Sequence, residues 1–163
     1  MLKRMILPLI LGMLVLPVFP QDAPLSTTGA TSAVSDDIAD LITRAEQGNA
    51  SAQFNLALMY LMGEAIPLDY KEAFRWYRAS AVQGNSSAQG SLGAMYRKGL
   101  DLPQDYIQAF MWYDLAVANS ELDQERRVWA RNRDSLAKKM TSEQVAEAQR
   151  LAREWKPKVQ EAR

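Results

Sequence analysis

Ser135 and Lys138 stand in the S-x-x-K spacing, in which a lysine one helical turn on activates a serine nucleophile. The companion S-D-N and K-T-G patterns are absent, so the pair reads as two solvent-facing helix residues. Asp36, Asp37 and Asp40, or Asp101 and Asp105, could gather around a hard cation. Neither set has the ligand spacing of a calcium loop, and both read more simply as acids at helix starts, where the helix dipole is positive. Asn49-Ala-Ser51 and Asn85-Ser-Ser87 match the glycosylation acceptor pattern, but they recur at a fixed interval, which says that the asparagine serves a turn. Trp76, Trp112, Trp129 and Trp155 could stack sugar rings, yet all four fall on helical apolar stripes and read as packing.

Composition narrows the chemistry further. The chain has neither cysteine nor histidine. Disulfides, thiolate catalysis, zinc sites and Ser-His-Asp triads each need a residue that is missing, so those chemistries are excluded and no cofactor or metal site is expected. Nineteen Lys/Arg balance nineteen Asp/Glu, and no global field draws the molecule to nucleic acid or anionic lipid. The 163 residues, 48% of them apolar, suffice for one globular or solenoid domain.

Residues 45–116 carry the organising signal. Eighteen positions from Ala45 to Tyr77 recur unchanged thirty-six residues later, from Ala81 to Tyr113. A period of this length marks a repeat architecture, in which each unit buries its apolar face only by stacking on the next. Within the first unit, Gln53, Leu56, Ala57 and Tyr60 fall at i, i+3, i+4, i+7, which predicts a helix over 50–62. Gly63 stops it, Pro67 follows, and Asp69 with Glu72 has the spacing of a capping box that opens a second helix. That helix carries Ala73, Trp76, Tyr77, Ser80 and Ala81, and Gly84 ends it. The second unit repeats the pattern, with Asp105 and Gln108 as its cap pair. The predicted fold is all-α: a short α/α solenoid of helix-turn-helix repeats with flanking capping helices.

The motif Gly48-Asn49-x-x-Ala52-Gln53-x-x-Leu56-Ala57-x-x-Tyr60-x-x-Gly63, followed by Asp69-x-x-x-Ala73-x-x-Trp76-Tyr77, returns as Gly84-Asn85-x-x-Ala88-Gln89-x-x-Leu92-Gly93-x-x-Tyr96-x-x-Gly99 and Asp105-x-x-x-Ala109-x-x-Trp112-Tyr113. It resembles the Sel-one-like repeat family, relatives of the tetratricopeptide repeats. The resemblance implies an interaction scaffold without chemistry of its own.

The flanks divide as follows. Residues 1–23 read as a signal peptide, with Lys3 and Arg4 ahead of the uncharged run Met5–Phe19, which is short for a membrane span. Its rival is an uncleaved anchor, the one route by which this chain would hold to a membrane. Ala23 and Ala30 are the candidate cleavage positions, and the expected location is periplasmic or secreted, in a bacterium. Residues 24–34 are small and polar and read as a flexible linker. Residues 35–119 hold an N-terminal cap helix, begun at Ser35 and carrying Ile38, Leu41, Ile42 and Ala45, plus the two 36-residue repeats. Asn119 and Ser120 stand where Gly-Asn opened the earlier units. Residues 120–157 read as a degenerate third repeat and a C-terminal cap helix. In it Thr141 with Gln144 makes a capping box and Met140 with Val145 a hydrophobic staple, and Pro157 is the stop. Residues 158–163 are a tail. From Glu121 onward there are eleven Lys/Arg against eight Asp/Glu, so the C-terminal part is basic.

In tetratricopeptide-like stacks the first helix of each pair lines a concave groove. By that register Phe54, Leu58, Leu61 and Met62 face it from the first unit, and Gly90, Ala94, Arg97 and Lys98 from the second. The groove would pass from apolar to basic and suit a protein partner, an amphipathic helix or extended segment with an apolar anchor and acidic residues. In the competing reading Phe54 and Leu58 are ordinary core, packed beneath the helix of 35–47. A polysaccharide or peptidoglycan of the cell envelope, bound through aromatics outside the core, is the alternative partner.

Overall fold

The computed structural model describes residues 27–158, with side-chain detail from Asp36 onward. The expected signal peptide and residues 159–163 of the tail lie outside the described residues. Seven helices lie among the described residues: α1 Thr27–Glu46, α2 Ala50–Met62, α3 Tyr70–Ala81, α4 Ser86–Lys98, α5 Tyr106–Asn119, α6 Asp123–Ala137 and α7 Ser142–Glu154. No strand occurs among the described residues. Successive helices pack on one another from α1 to α6, and α7 returns to lie on α5.

Polar side chains set the helix boundaries. Asn49 Oδ1 accepts the Ala52 N–H at 2.8 Å and Asn85 Oδ1 the Ala88 N–H at 2.9 Å, so both asparagines are N-caps of α2 and α4, each worth about 1 kcal/mol. At the far ends Gly63 and Gly99 both adopt φ 68°, the left-handed cap conformation that a Cβ would strain. Asp69 accepts from Lys71 N–H and Glu72 N–H, and Asp105 from Gln108 N–H. Neither pair closes the expected capping box. The Asp69 and Asp105 N–H groups donate instead to Tyr60 O and Tyr96 O, both at 3.0 Å, and Glu72 turns to Arg75. Only Thr141 and Gln144 make the reciprocal box, beside Met140 and Val145 packed against the same cluster.

Two boundary readings are corrected. Helix α1 begins at Thr27, not Ser35, so residues 27–34 are helical and not a linker, and Asp36 and Asp37 lie inside a helix and not at its start. Glycine apart, the segment 27–34 holds nothing that breaks a helix, and α1 extends through it. Asp40 pairs with Arg44 one turn on, at 2.9 Å. Asn119 does not replace a turn glycine either. Its Nδ2 donates to Gln89 Oε1 at 3.0 Å, as Gln83 Nε2 donates to Gln53 Oε1 at 2.7 Å, so Asn119 holds the place of Gln83.

Those glutamines explain a buried polar position in each unit. Gln53 Nε2 donates to Ala45 O, and Gln89 Nε2 to Ala81 O. Each amide thus ties the start of one helix pair to the end of the helix before it, and each also accepts from the residue thirty positions on. Satisfied in this way, burial costs them little. Around this ladder the core is small residues and aromatics. Ala45, Ala57, Ala73, Ala81, Ala88 and Ala109 are fully buried, and Tyr77 and Tyr113 nearly so. At Gly93 a Cβ would sit 3.0 Å from both the Ala109 carbonyl and the Tyr113 ring, so α4 and α5 touch there through backbone. After α7 the chain turns back. Trp155 meets Trp112 edge-on, with ring centroids 6.1 Å apart, and Lys158 N–H donates to Val82 O at 2.7 Å.

Candidate functional site

The first helices of the units, α2 and α4, share a cleft of about 370 Å³ that α6 closes from the far side. Leu61, Tyr70, Ala94, Lys98 and Trp129 are on its wall. Two of the six residues expected to bind a partner, Leu61 and Lys98, therefore meet in one cavity, with Ala94 between them.

The other four sit differently. Leu58 is 37% and Met62 54% exposed, and they extend the apolar side of the cleft as open surface on α2. Phe54 packs against the core, its ring 5.7 Å from that of Tyr77 on α3, whereas Leu58 is exposed. Arg97 is half-buried, and its Nε, like the Tyr113 hydroxyl and Trp129 Nε1, is sealed from solvent without a hydrogen-bond partner among the described residues.

Gly90 is not open groove surface. A Cβ there would fall 2.3 Å from the Trp129 indole, which stacks on Tyr113 at 6.2 Å and 21°. The first unit supplies the covering ring from its own Phe54, over Tyr77. The second unit has glycine at the equivalent position and takes its ring from α6. Gly90 and Trp129 are thus a complementary pair, and Trp129 becomes both core and cleft wall. Sequence reasoning missed that wall, although the change from Phe54 to Gly90 in an otherwise faithful repeat was the available signal. Burial pushes the Tyr77 phenol up to about 12, with Ser91 offsetting part of the shift. It raises Tyr113 as well, where Arg97 opposes it.

The other reactive-looking residues have structural settings. Ser135 and Lys138 are exposed at the end of α6. Asp105 caps α5, and Asp101, at φ 54°, stands 3.9 Å from the Lys71 ammonium. Trp76 and Trp112 are buried, and Trp129 and Trp155 pack on Tyr113 and Trp112. The large apolar side chains exposed among the described residues, Leu58, Met62, Leu68 and Leu122, are all aliphatic. No described helix is long and apolar enough to cross a membrane.

Comparison with known proteins agrees with this arrangement. The Sel1 repeat family model matches residues 50–85 and 86–120. Among solved structures the chain is similar to a protective antigen present in uropathogenic Escherichia coli strains that displays an SLR fold. The two share 33% identity over 77% of this chain and 25% of that one, with a TM-score of 0.67. It is also similar to a Sel1 repeat protein from Oxalobacter formigenes, with 36% identity over 50% of this chain and 33% of that one and a TM-score of 0.48. The chain thus spans a quarter to a third of the length of these two structures. No curated protein matches it.

Proposed function

Because the chain carries two Sel1 repeats within an all-α SLR fold, we propose that it is a non-enzymatic scaffold that binds a protein segment along the exposed face of α2 and α4. Proteins built from these repeats generally mediate protein–protein contacts. The observation that carries the reading to this face is the shared cleft, where the apolar Leu61 and the cationic Lys98 line one cavity beside the exposed Leu58 and Met62. An apolar anchor fits the α2 side and a carboxylate the Lys98 side. We further propose that the chain acts outside the cytoplasm of a bacterium, in the periplasm or secreted, on the strength of its basic and then apolar N-terminus. Binding of an envelope glycan has less support, since the large apolar side chains exposed among the described residues are aliphatic and the aromatics of the cleft, Tyr70 and Trp129, are half-buried, with Trp129 stacked on Tyr113.

A crosslinked pull-down from an envelope fraction tests the reading, with a Leu58→Asp, Lys98→Glu double variant beside the wild type. Both positions are exposed, so the variant is expected to keep the helical circular dichroism spectrum. A partner captured by the wild type and lost with the folded variant supports the scaffold reading at this face. The same proteins captured by both would overturn it.

A further inference from the structure

Helix α6 extends the same face by a third step. Counting from the N-caps Asn49, Asn85 and Leu122, Phe54, Gly90 and Arg127 occupy one position and Leu58, Ala94 and Arg131 the next in line. Packing covers Phe54 and Gly90, so the open row runs from Leu58 on α2 through Ala94 on α4 to Arg127 and Arg131 on α6. Arg127 and Arg131 line a second, open cavity on the exposed face of α6, with Gln124, Ala130 and Asp134 of the same helix.

The charge of this cavity is only partly spent internally. Arg44, Arg75, Arg126, Arg133 and Arg150 each pair with a carboxylate. Arg127 and Arg131 make no ion pair among the described residues, and the Nε of each reaches only a backbone carbonyl of its own helix, at 3.3 Å. Asp134 offsets only part of this charge: it shares the single guanidinium of Arg133 with Asp114, which leaves Arg127 and Arg131 in excess by one positive charge. Two guanidiniums one turn apart form a fork suited to carboxylates.

We infer that Arg127 and Arg131 form the anion-binding end of the partner site, so that the bound segment carries an apolar residue for α2 and an acidic pair for α6. This rests on the scaffold reading above. The chain's own N-terminus is a poor occupant. Residues 1–26 hold Lys3 and Arg4 against the single carboxylate of Asp22, which puts cations where the cavity is cationic.

A phage-displayed library of random peptides about a dozen residues long, selected on the whole chain, tests the inference. The expected outcome is enrichment of peptides that carry both an apolar residue and an acidic pair. Such peptides bind an Arg127→Glu, Arg131→Glu double variant at least about tenfold more weakly in low salt, and exchanging the acidic pair for lysines restores binding to that variant. Both substitutions are on the exposed face of α6, and circular dichroism checks the fold. Enriched peptides that are apolar without acidic bias, sensitive to Leu58→Asp and indifferent to the arginine variant, would overturn the inference and leave the scaffold reading standing. So would binding of single-stranded DNA that the arginine variant abolishes, with no acidic bias in the peptides. A library that yields no binder counts against both.

Discussion

Two residues, Gly90 and Trp129, decide how the second repeat differs from the first. Any side chain at position 90 must displace the indole, because its Cβ would lie 2.3 Å from the ring, and a rigid aromatic held by Tyr113 cannot yield at little cost. Gly90→Ala is expected to destabilise the fold by about 1–3 kcal/mol, although the same change in an open helix stabilises. Urea unfolding measures it, and the control is Trp129→Ala. With the indole gone the clash disappears, so the double variant should be clearly more stable than the sum of the two single changes. Additive costs would mean that Gly90 and Trp129 do not meet.

A second residue-scale consequence follows from Tyr77. Burial favours the neutral phenol and raises its pKa to about 12, while the unfolded chain titrates near 10. The folded state then holds the proton where the unfolded state has lost it. This contribution to stability is complete below about pH 10 and is lost as the pH rises toward 12. An absorbance titration of tyrosinate is expected to show a late-ionising tyrosine that Tyr77→Phe removes.

At the scale of the element, the repeats were legible and their ends were not. Helix α2 spans 50–62 as its periodicity and Gly63 required, and Trp76 and Tyr77, with their repeats Trp112 and Tyr113, are buried where the stripe placed them. The start of α1 was missed because composition alone does not separate a small polar linker from a helix lacking a capping signal. The register of α6 was missed because its opening residue, Leu122, bears no capping oxygen and the motif fades there. Arg127 and Arg131 were accordingly not read as groove residues. That uncapped start offers a test. Leu122 has an extended N-cap backbone without a side-chain hydrogen bond and is 69% exposed. Leu122→Asp supplies an acceptor for the first turn of α6 and removes an exposed leucine, so it is expected to raise stability by about 1 kcal/mol. Thermal unfolding reads this directly, and an unchanged or lowered midpoint would show that α6 begins elsewhere.

At the scale of the whole molecule, a stack this short depends on its ends. In a repeat array each unit is held by its neighbours, and the last pair has a neighbour on one side only. The C-terminal end meets this with α7 folded back on α5, Trp155 against Trp112 and Lys158 hydrogen-bonded to Val82. The strap therefore joins the third unit to the end of α3, bypassing the intervening turns. Removing the indole with Trp155→Ala takes away a large, partly buried contact, at a cost of about 2–4 kcal/mol. The loss should be uneven. Helices α2 to α5 keep the glutamine ladder and the aromatic core, whereas the C-terminal end of the stack loses the contact that holds α7 and its strap to α5. Hydrogen exchange on the variant is then expected to show amides of α6 and α7 losing protection well before those of α2 to α4, with the wild type opening more nearly as one unit. Because Trp129 on α6 walls the cleft, the same variant should also weaken any partner bound there, without a single binding residue having been changed. Protection lost equally from all seven helices would mean that the strap merely adds stability to the whole and does not set the cooperativity of the stack.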